Sequence, residues 1–225
     1  MKISKLSIVA VAAVVGIYIR AIYFTPVEVR QGLAQKILYV HAPAAWVAFL
    51  AFGLVALMGI LYLWLKDPKF DQIAEASAEV GLMFTTVVMI TGPLWGKPVW
   101  GTYWTWDARL TLTLFLWFIY VGYVILRGAI DDRDMRARFS SVLGIMGAAL
   151  IPFIHLSVYL FRTLHPQPVL MKPGAPSMPA DMTTTLILSF LAFTLMYVWL
   201  LRERYLLAIE RDNVARTQLA QREVA

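Results

Sequence analysis

Three histidines are the side chains of this sequence best suited to metal binding or proton transfer. His41 lies in YVHAPAAW, His155 in IHLSV and His165 in RTLHPQP. An imidazole can exchange a proton near neutral pH or bind a metal through a ring nitrogen. The chain has no cysteine, which excludes disulfides, thiolate metal sites and CxxC redox chemistry. A metal centre in this protein must therefore use other ligands.

A cluster of tryptophans between residues 95 and 110, WGKPVWGTYWTWDARL, is the second feature that could do chemistry. It holds four of the eight tryptophans of the chain. Indole rings provide flat apolar walls. Trp100 and Trp104 would share a face of a helix, whereas Trp104 and Trp106 would share a face of an extended chain. Either arrangement predicts a hydrophobic platform, whose candidate binding residues are Trp95, Trp100, Trp104 and Trp106, with Asp107 and Arg109 at its edge.

The elements that position these residues are expected to be membrane-spanning helices. The composition is 60% hydrophobic and only 15% charged, with a mean hydropathy of +0.68, which is far more apolar than a soluble domain. A helix needs about 20 apolar residues to cross a bilayer, because lipid cannot satisfy free backbone groups. We therefore predict an all-α, polytopic membrane protein with a single domain over residues 1–225. Its six predicted spans are Leu6–Phe24, His41–Leu65, Val80–Leu94, Leu110–Leu126, Phe139–Phe161 and Met182–Leu201.

The distribution of lysine and arginine predicts the orientation of these spans. Thirteen of the 20 basic residues fall on the side that holds both termini, and seven fall on the other side. Cytoplasmic loops carry the excess of basic residues, so both termini and the tail 202–225 are expected in the cytoplasm, and residues 95–110 outside. The net charge of +6 is then a topology signal and no sign of nucleic-acid binding. The apolar N-terminus is interpreted as an uncleaved first span, with a cleaved signal peptide as the alternative.

In this topology all three histidines lie in the outer half of the bundle. His41 and His165 lie at the outer boundary, and His155 lies about 9 Å below the outer end of span five at 1.5 Å per residue. Imidazoles beside a flat aromatic surface suit an iron porphyrin, because its iron takes axial imidazoles and its plane needs apolar walls. Arg109 or Lys97 could pair with a haem propionate. Anchoring at the membrane interface is the alternative explanation for each of these two cations.

The run Trp100–Asp107, WGTYWTWD, matches WGxxWxWD, the tryptophan-rich signature of membrane proteins that handle haem in cytochrome c maturation. The longer WGKPVWGTYWTWDARLT, the upstream YVHAPAAW and the downstream DDR, IHLSV and TLH elements resemble the CcmC family, the smaller six-span member of that superfamily. The resemblance extends over about Lys36–His165. The chain departs from the family's pattern at Pro166, where glutamine is common, and at Leu160–Phe161, where an aromatic pair is usual.

The resemblance implies a function and a set of partners. His41 and His165 would be the axial ligands of the iron of a haem b, with the tryptophan segment as the platform between them, and His155 would have a structural or supporting role. The haem would be presented on the periplasmic side of a bacterial inner membrane to a periplasmic haem chaperone. The ATPase and membrane subunits of an ABC transporter and a small membrane subunit would cooperate. No enzyme activity in the ordinary sense is implied, although holding haem beside a partner could accelerate its covalent attachment by proximity.

Two other functions fit a polytopic protein. A small-molecule or haem permease would use the aromatic cluster as an interfacial collar, but such proteins usually place polar groups and interrupted helices near the midplane. The main candidate for an interruption here is Pro152 in span five. A transmembrane electron carrier would need ligand pairs spaced through the bilayer, and histidines confined to the outer half do not supply them. The sequence has no GxxxxGK[ST] phosphate loop, so any ATP would be hydrolysed by another chain.

Overall fold

The computed structural model describes residues 4–167, 170 and 177–224, and the regular secondary structure in this part of the chain is helical. Six helical stretches are long and apolar enough to cross a membrane, so the predicted all-α, six-span architecture is confirmed. A π-helical turn, Arg20–Phe24, extends the first helix, and a 3₁₀-helix, Leu33–Ile37, leads into the second. The α-helices are α1 Lys5–Ile19, α2 Leu38–Leu65, α3 Pro68–Trp100, α4 Ala108–Ala129, α5 Arg133–Ala148, α6 Leu150–Leu160 and α7 Ala180–Val224.

Helix α3 is much longer than the predicted third span. The side chain of Asp67 caps its first turn by accepting a hydrogen bond from the backbone N–H of Lys69 at 2.9 Å. Its 33 residues correspond to a length of about 50 Å, against about 30 Å for the hydrocarbon core. The apolar run marks only the part inside lipid, whereas the helix continues at both ends. Trp95 and Trp100 therefore belong to α3, and the connection between α3 and α4 is shorter than the predicted tryptophan loop.

The fifth span is interrupted between α5 and α6. Helix α5 ends at Ala148 and α6 begins at Leu150, with Ala149 between them. Pro152 explains the interruption, because a proline has no N–H to donate and its ring clashes with the carbonyl of the residue four positions earlier, here Ala148. Pro152, the candidate interruption in the sequence, thus lies in the first turn after a break of one residue in the helix.

The end of α1 lies beside the start of α7. Arg20 Nε donates to Thr185 Oγ1 at 3.1 Å, and the Thr25 and Thr185 hydroxyl oxygens are 2.8 Å apart. The two helices are therefore antiparallel, and the beginning of α1 and the far part of α7 lie at the same end of the bundle. We call this the terminal end, and the other the site end.

Small residues allow the helices to approach closely in the core. A Cβ at Gly81 of α3 would lie 2.7 Å from the ring of Phe52 of α2, and one at Gly147 of α5 would lie 2.8 Å from the ring of Tyr120 of α4. The Phe52 and Tyr120 rings stack with centroids 3.5 Å apart. Packing of this kind is what holds helices together in lipid, where apolar burial alone gives little drive to associate.

A buried ion-pair cluster ties α4 to α3 at the terminal end. Arg127, only 9% exposed, donates to Asp71 at 2.6 Å and to Glu75 at 2.8 Å. Its guanidinium also lies 5.8 Å from the ring centroid of Tyr123. Removing one member of such a cluster leaves the opposite charge buried without compensation.

Replacement of Arg127 by alanine is expected to destabilise the fold by about 3–5 kcal/mol, because two carboxylates lose their buried partner. The matched control is Arg138→Ala, which breaks the exposed pair with Asp134 and should cost about 1 kcal/mol or less. Unfolding of both variants in mixed detergent micelles, followed by circular dichroism, measures the difference. Equal stability of the two variants would contradict a structural role for the Arg127 cluster.

Candidate functional site

The side chains of His41 and His165 lie next to each other at the site end. Their ring centroids are 6.4 Å apart and the ring planes are inclined by 36°. His41 lies in the first turn of α2, and His165 lies in the connection that follows α6. The two histidines that the sequence predicts as a pair are therefore brought together from distant parts of the chain.

The hydrogen bond of His41 to Thr91 of α3 orients its ring. Nδ1 of His41 is 2.9 Å from Thr91 Oγ1. The same Thr91 hydroxyl donates its proton to the carbonyl oxygen of Val87 at 2.7 Å. A hydroxyl has one proton and two lone pairs, so Thr91 accepts from the N–H at Nδ1 of His41. The unprotonated Nε2 is then the nitrogen that is available to a metal.

His165 is held by its own turn of backbone. Nδ1 of its ring is 2.9 Å from the carbonyl oxygen of Pro166, which can only accept, and its backbone N–H donates to Thr163 Oγ1 at 3.1 Å. Nδ1 of the neutral ring must therefore carry the proton that it donates to this carbonyl, and Nε2 is again unprotonated. Burial, with help from the positive charge of Arg109, lowers the pKa of His165 to about 4, although the Pro166 carbonyl and Asp107 act in the opposite direction. At neutral pH this imidazole is therefore an electron-pair donor.

Trp95 forms an aromatic wall against His41. The two ring centroids are 5.8 Å apart in an edge-on arrangement at 72°. Trp95 Nε1 donates to Gln31 Oε1 at 2.9 Å, and the backbone N–H of Gln31 donates to the carboxylate of Glu28 at 2.6 Å. The segment before α2 therefore fixes the indole of α3 beside the first imidazole.

The connection between α3 and α4 carries the remaining tryptophans. Gly101 ends α3 in the left-handed region, with φ of 77°, and its N–H donates to the carbonyl of Lys97 at 3.0 Å. The chain from residue 102 to 107 is irregular, so Trp100 and Trp104 do not share a helix face. Trp104 and Trp106 instead pack edge to face with centroids 5.7 Å apart, which is the neighbour relation expected of an extended chain. Trp106 is 76% exposed.

The charged residues at the edge of the platform have different environments. Asp107 caps α4 by accepting from the backbone N–H of Leu110 at 3.0 Å. Lys97 donates to the carbonyl of Gly101 at 2.9 Å and lies over the ring of Tyr103. Arg109 is near enough to His165 to lower its pKa, and its Nη1 is enclosed without a hydrogen-bond partner among the described residues. Arg109 thus has an enclosed donor that is free to bind an anionic group near His165.

The arrangement fits a haem with two axial imidazoles. With a metal–nitrogen bond of about 2 Å, two imidazoles that share one metal place their ring centroids about 6 Å apart, and the separation here is 6.4 Å. In both rings the hydrogen bond at Nδ1 leaves Nε2 as the nitrogen without a proton. Arg109 Nη1 and Trp104 Nε1 are enclosed donors without partners in the described part of the chain. Such donors suit the carboxylates of an amphipathic macrocycle.

His155 does not join the histidine pair. It is exposed on the side of α6, with its ring centroid 6.3 Å from that of Tyr159 one turn further along. Its supporting role remains a prediction. Sequence reasoning missed Thr91, Gly92 and Gln31, which contact the site. In the sequence, the only indication that Thr91 belongs to the site is its position four residues before Trp95, on the same face of one helix.

The fold and the site define a multi-pass helical membrane protein with a pair of neighbouring histidines and an aromatic wall at one end. The chain belongs to the heme exporter protein C family, whose sequence profile matches residues 2–220. It is 38% identical over 186 residues to heme exporter protein C of Bradyrhizobium diazoefficiens, which covers 83% of this chain and 70% of the relative. It is 36% identical over 193 residues to heme exporter protein C of Haemophilus influenzae, covering 86% and 78%. A putative cytochrome c biosynthesis ccmC-like mitochondrial protein of Marchantia polymorpha is 37% identical over 173 residues, covering 77% and 73%.

The protonation of His165 can be measured in the haem-free protein. Because burial lowers its pKa to about 4, the ring should stay neutral at pH 6 and gain a proton only near pH 4. The chain has three histidines, so NMR of histidine-labelled protein in micelles is simple to assign with a His165→Gln variant. A titration midpoint at the usual value of about 6.5 would contradict the proposed effect of partial burial and of Arg109 on this ring.

Proposed function

We propose that this protein binds haem b at the outer face of a bacterial inner membrane and presents it to a partner during cytochrome c biogenesis. The observation that carries the proposal is the pair His41 and His165, whose rings lie 6.4 Å apart with both Nδ1 atoms committed to hydrogen bonds. The names of the relatives, heme exporter protein C and cytochrome c biosynthesis protein, point to the same ligand and process.

Haem would supply a redox-active iron, and this chain's residues would hold it. His41 and His165 would bind the iron through their Nε2 atoms. Trp95 packs against His41 and provides an apolar wall for the macrocycle. Arg109 would pair with a propionate in preference to Lys97, because Arg109 lies near His165 and has an enclosed donor without a partner in the described part of the chain, whereas Lys97 is directed to Gly101 and the ring of Tyr103.

The exposed part of the platform suits a handover. Trp106 is largely open to solvent, and a cavity of about 250 Å³ lies between the platform and the chain before His165, lined by Thr105, Asp107, Arg162, Thr163 and Leu164. A periplasmic haem chaperone could approach the bound haem here. The subunits of an ABC transporter and a small membrane subunit remain proposed partners, on the resemblance of Lys36–His165 to the CcmC family.

In this proposal the protein is an assembly factor and no enzyme in the ordinary sense. It holds haem in a fixed orientation, and its contribution to covalent attachment on a partner is proximity and alignment. The competing role of transmembrane electron carrier is not favoured, since His155 lies apart from the pair and exposed on α6.

The axial assignment predicts the haem content of histidine variants. Purified His41→Ala and His165→Ala should each lose haem affinity by at least the roughly 10-fold to 100-fold typical of lost supporting residues in metal sites. His155→Ala is the matched control and should keep the absorbance of the bound haem. Haem titration into the apoprotein, read at the Soret band, measures all three. Unchanged affinity in both ligand variants would reject the proposal.

The proposed orientation can be tested by cysteine labelling, because the natural chain has no cysteine. Gln167→Cys, exposed beside His165, should react with a membrane-impermeant maleimide on intact spheroplasts. Asp131→Cys, exposed between α4 and α5, should react only after the membrane is opened. The reverse labelling pattern would place the histidine pair on the cytoplasmic side.

A further inference from the structure

Two neighbouring residues of α3, Thr91 and Gly92, contact the ring of His41. The predicted third span ends at Leu94 and includes both residues, but neither carries a group that binds iron. Both lie one turn before Trp95, and together these three residues line the part of α3 that faces the first imidazole.

The hydroxyl of Thr91 donates one hydrogen bond and accepts another. Its hydroxyl donates to the Val87 carbonyl at 2.7 Å, which is the usual bond of a helical threonine to the residue four positions earlier. The hydroxyl proton is thereby used, and the oxygen can only accept from Nδ1 of His41 at 2.9 Å. This contact selects the tautomer with the proton on Nδ1, which leaves the Nε2 lone pair free.

Gly92 provides the space in which that ring lies. A Cβ at this position would be 3.3 Å from Cε1 and 3.9 Å from Nδ1 of His41. The first distance is tighter than ordinary van der Waals contact, so a side chain here would push the ring. Because Trp95 also packs against the His41 ring, the ring has little room to move away from an added side chain.

We propose that Thr91 and Gly92 are positioning residues that set the tautomer and the orientation of His41 so that Nε2 is presented to the haem iron. This inference rests on the proposed function. The corresponding acceptor for His165 is the carbonyl of Pro166, which no side-chain substitution removes. The Thr91 hydroxyl is therefore the one of these two acceptors that a side-chain substitution can remove.

A hydrogen bond from Nδ1–H to an acceptor makes an imidazole a more basic ligand, and hydrogen bonding behind the axial ligand is one of the levers on haem potential. Loss of the Thr91 oxygen should therefore weaken haem binding and favour the reduced iron. A purely structural role for Thr91 would change stability and leave the potential of the bound haem unmoved.

The experiment compares two pairs of variants. Thr91→Val keeps the shape and removes the acceptor, whereas Thr91→Ser keeps the hydroxyl. Gly92→Ala adds a methyl group against His41, whereas the control Gly53→Ala adds one in α2 where no atom lies within 4 Å. Hemin titration into each full-length apoprotein in detergent gives the dissociation constant, and redox titration gives the midpoint potential.

Thr91→Val should weaken haem binding about 10-fold to 100-fold and raise the midpoint potential, while Thr91→Ser stays close to wild type. Gly92→Ala should weaken binding and Gly53→Ala should not. Equal affinity and potential in Thr91→Val and Thr91→Ser would overturn the inference. So would equal effects of the two glycine variants.

Two further measurements separate this inference from the proposed function. If the wild type and His41→Ala bind hemin equally well, the proposed function fails. If His41→Ala loses hemin while Thr91→Val does not, only the inference fails. Should Thr91→Val not fold, ¹⁵N NMR of the wild-type apoprotein decides, because a proton on Nε2 of His41 would overturn the inference and a proton on Nδ1 would support it.

Discussion

The packing of α2 against α3 is the interaction on which the proposed site depends. At Gly81 the two helices lie so close that a Cβ would clash with the ring of Phe52. Nearer the site end of the same helix pair, the ring of His41 forms a hydrogen bond with Thr91. A rotation of either helix would separate these two side chains. Groups carried on packed helices are held more accurately than groups carried on loops. His165 comes from a connection instead, and its ring is oriented by its own backbone turn.

The bilayer explains why polar side chains gather at the two ends of the bundle. Arg127 and its two carboxylate partners lie at the terminal end, and the histidine pair lies at the site end. Between these ends, buried hydroxyls such as those of Ser77 and Thr85 donate to backbone carbonyls, because lipid offers them no other partner. Helix α3 extends beyond the hydrocarbon core and contributes to both polar ends, through Asp71 and Glu75 at one end and Thr91 at the other.

The proposed role in transfer agrees with a site that is partly open. His41 is set among side chains of α2 and α3, whereas His165 lies in a connection and Trp106 is exposed. Of the two proposed ligands, His41 is thus held between packed helices, and His165 lies nearer the surface. A carrier must bind its cargo and also release it. Because His165 lies in a connection and His41 between packed helices, we propose that release of haem would begin at His165.

The sequence by itself determined the number of apolar spans and singled out His41 and His165 as a pair, because apolar length and local motifs need no knowledge of contacts. It misjudged the ends of α3, since hydropathy reports the lipid-embedded part of a helix and not its hydrogen-bonded length. The link between His41 and Thr91, the wall formed by Trp95 and the free donor of Arg109 were decided only by the tertiary structure. These contacts join residues far apart in the chain, and their geometry depends on how each helix is rotated against its neighbours, which no local pattern encodes.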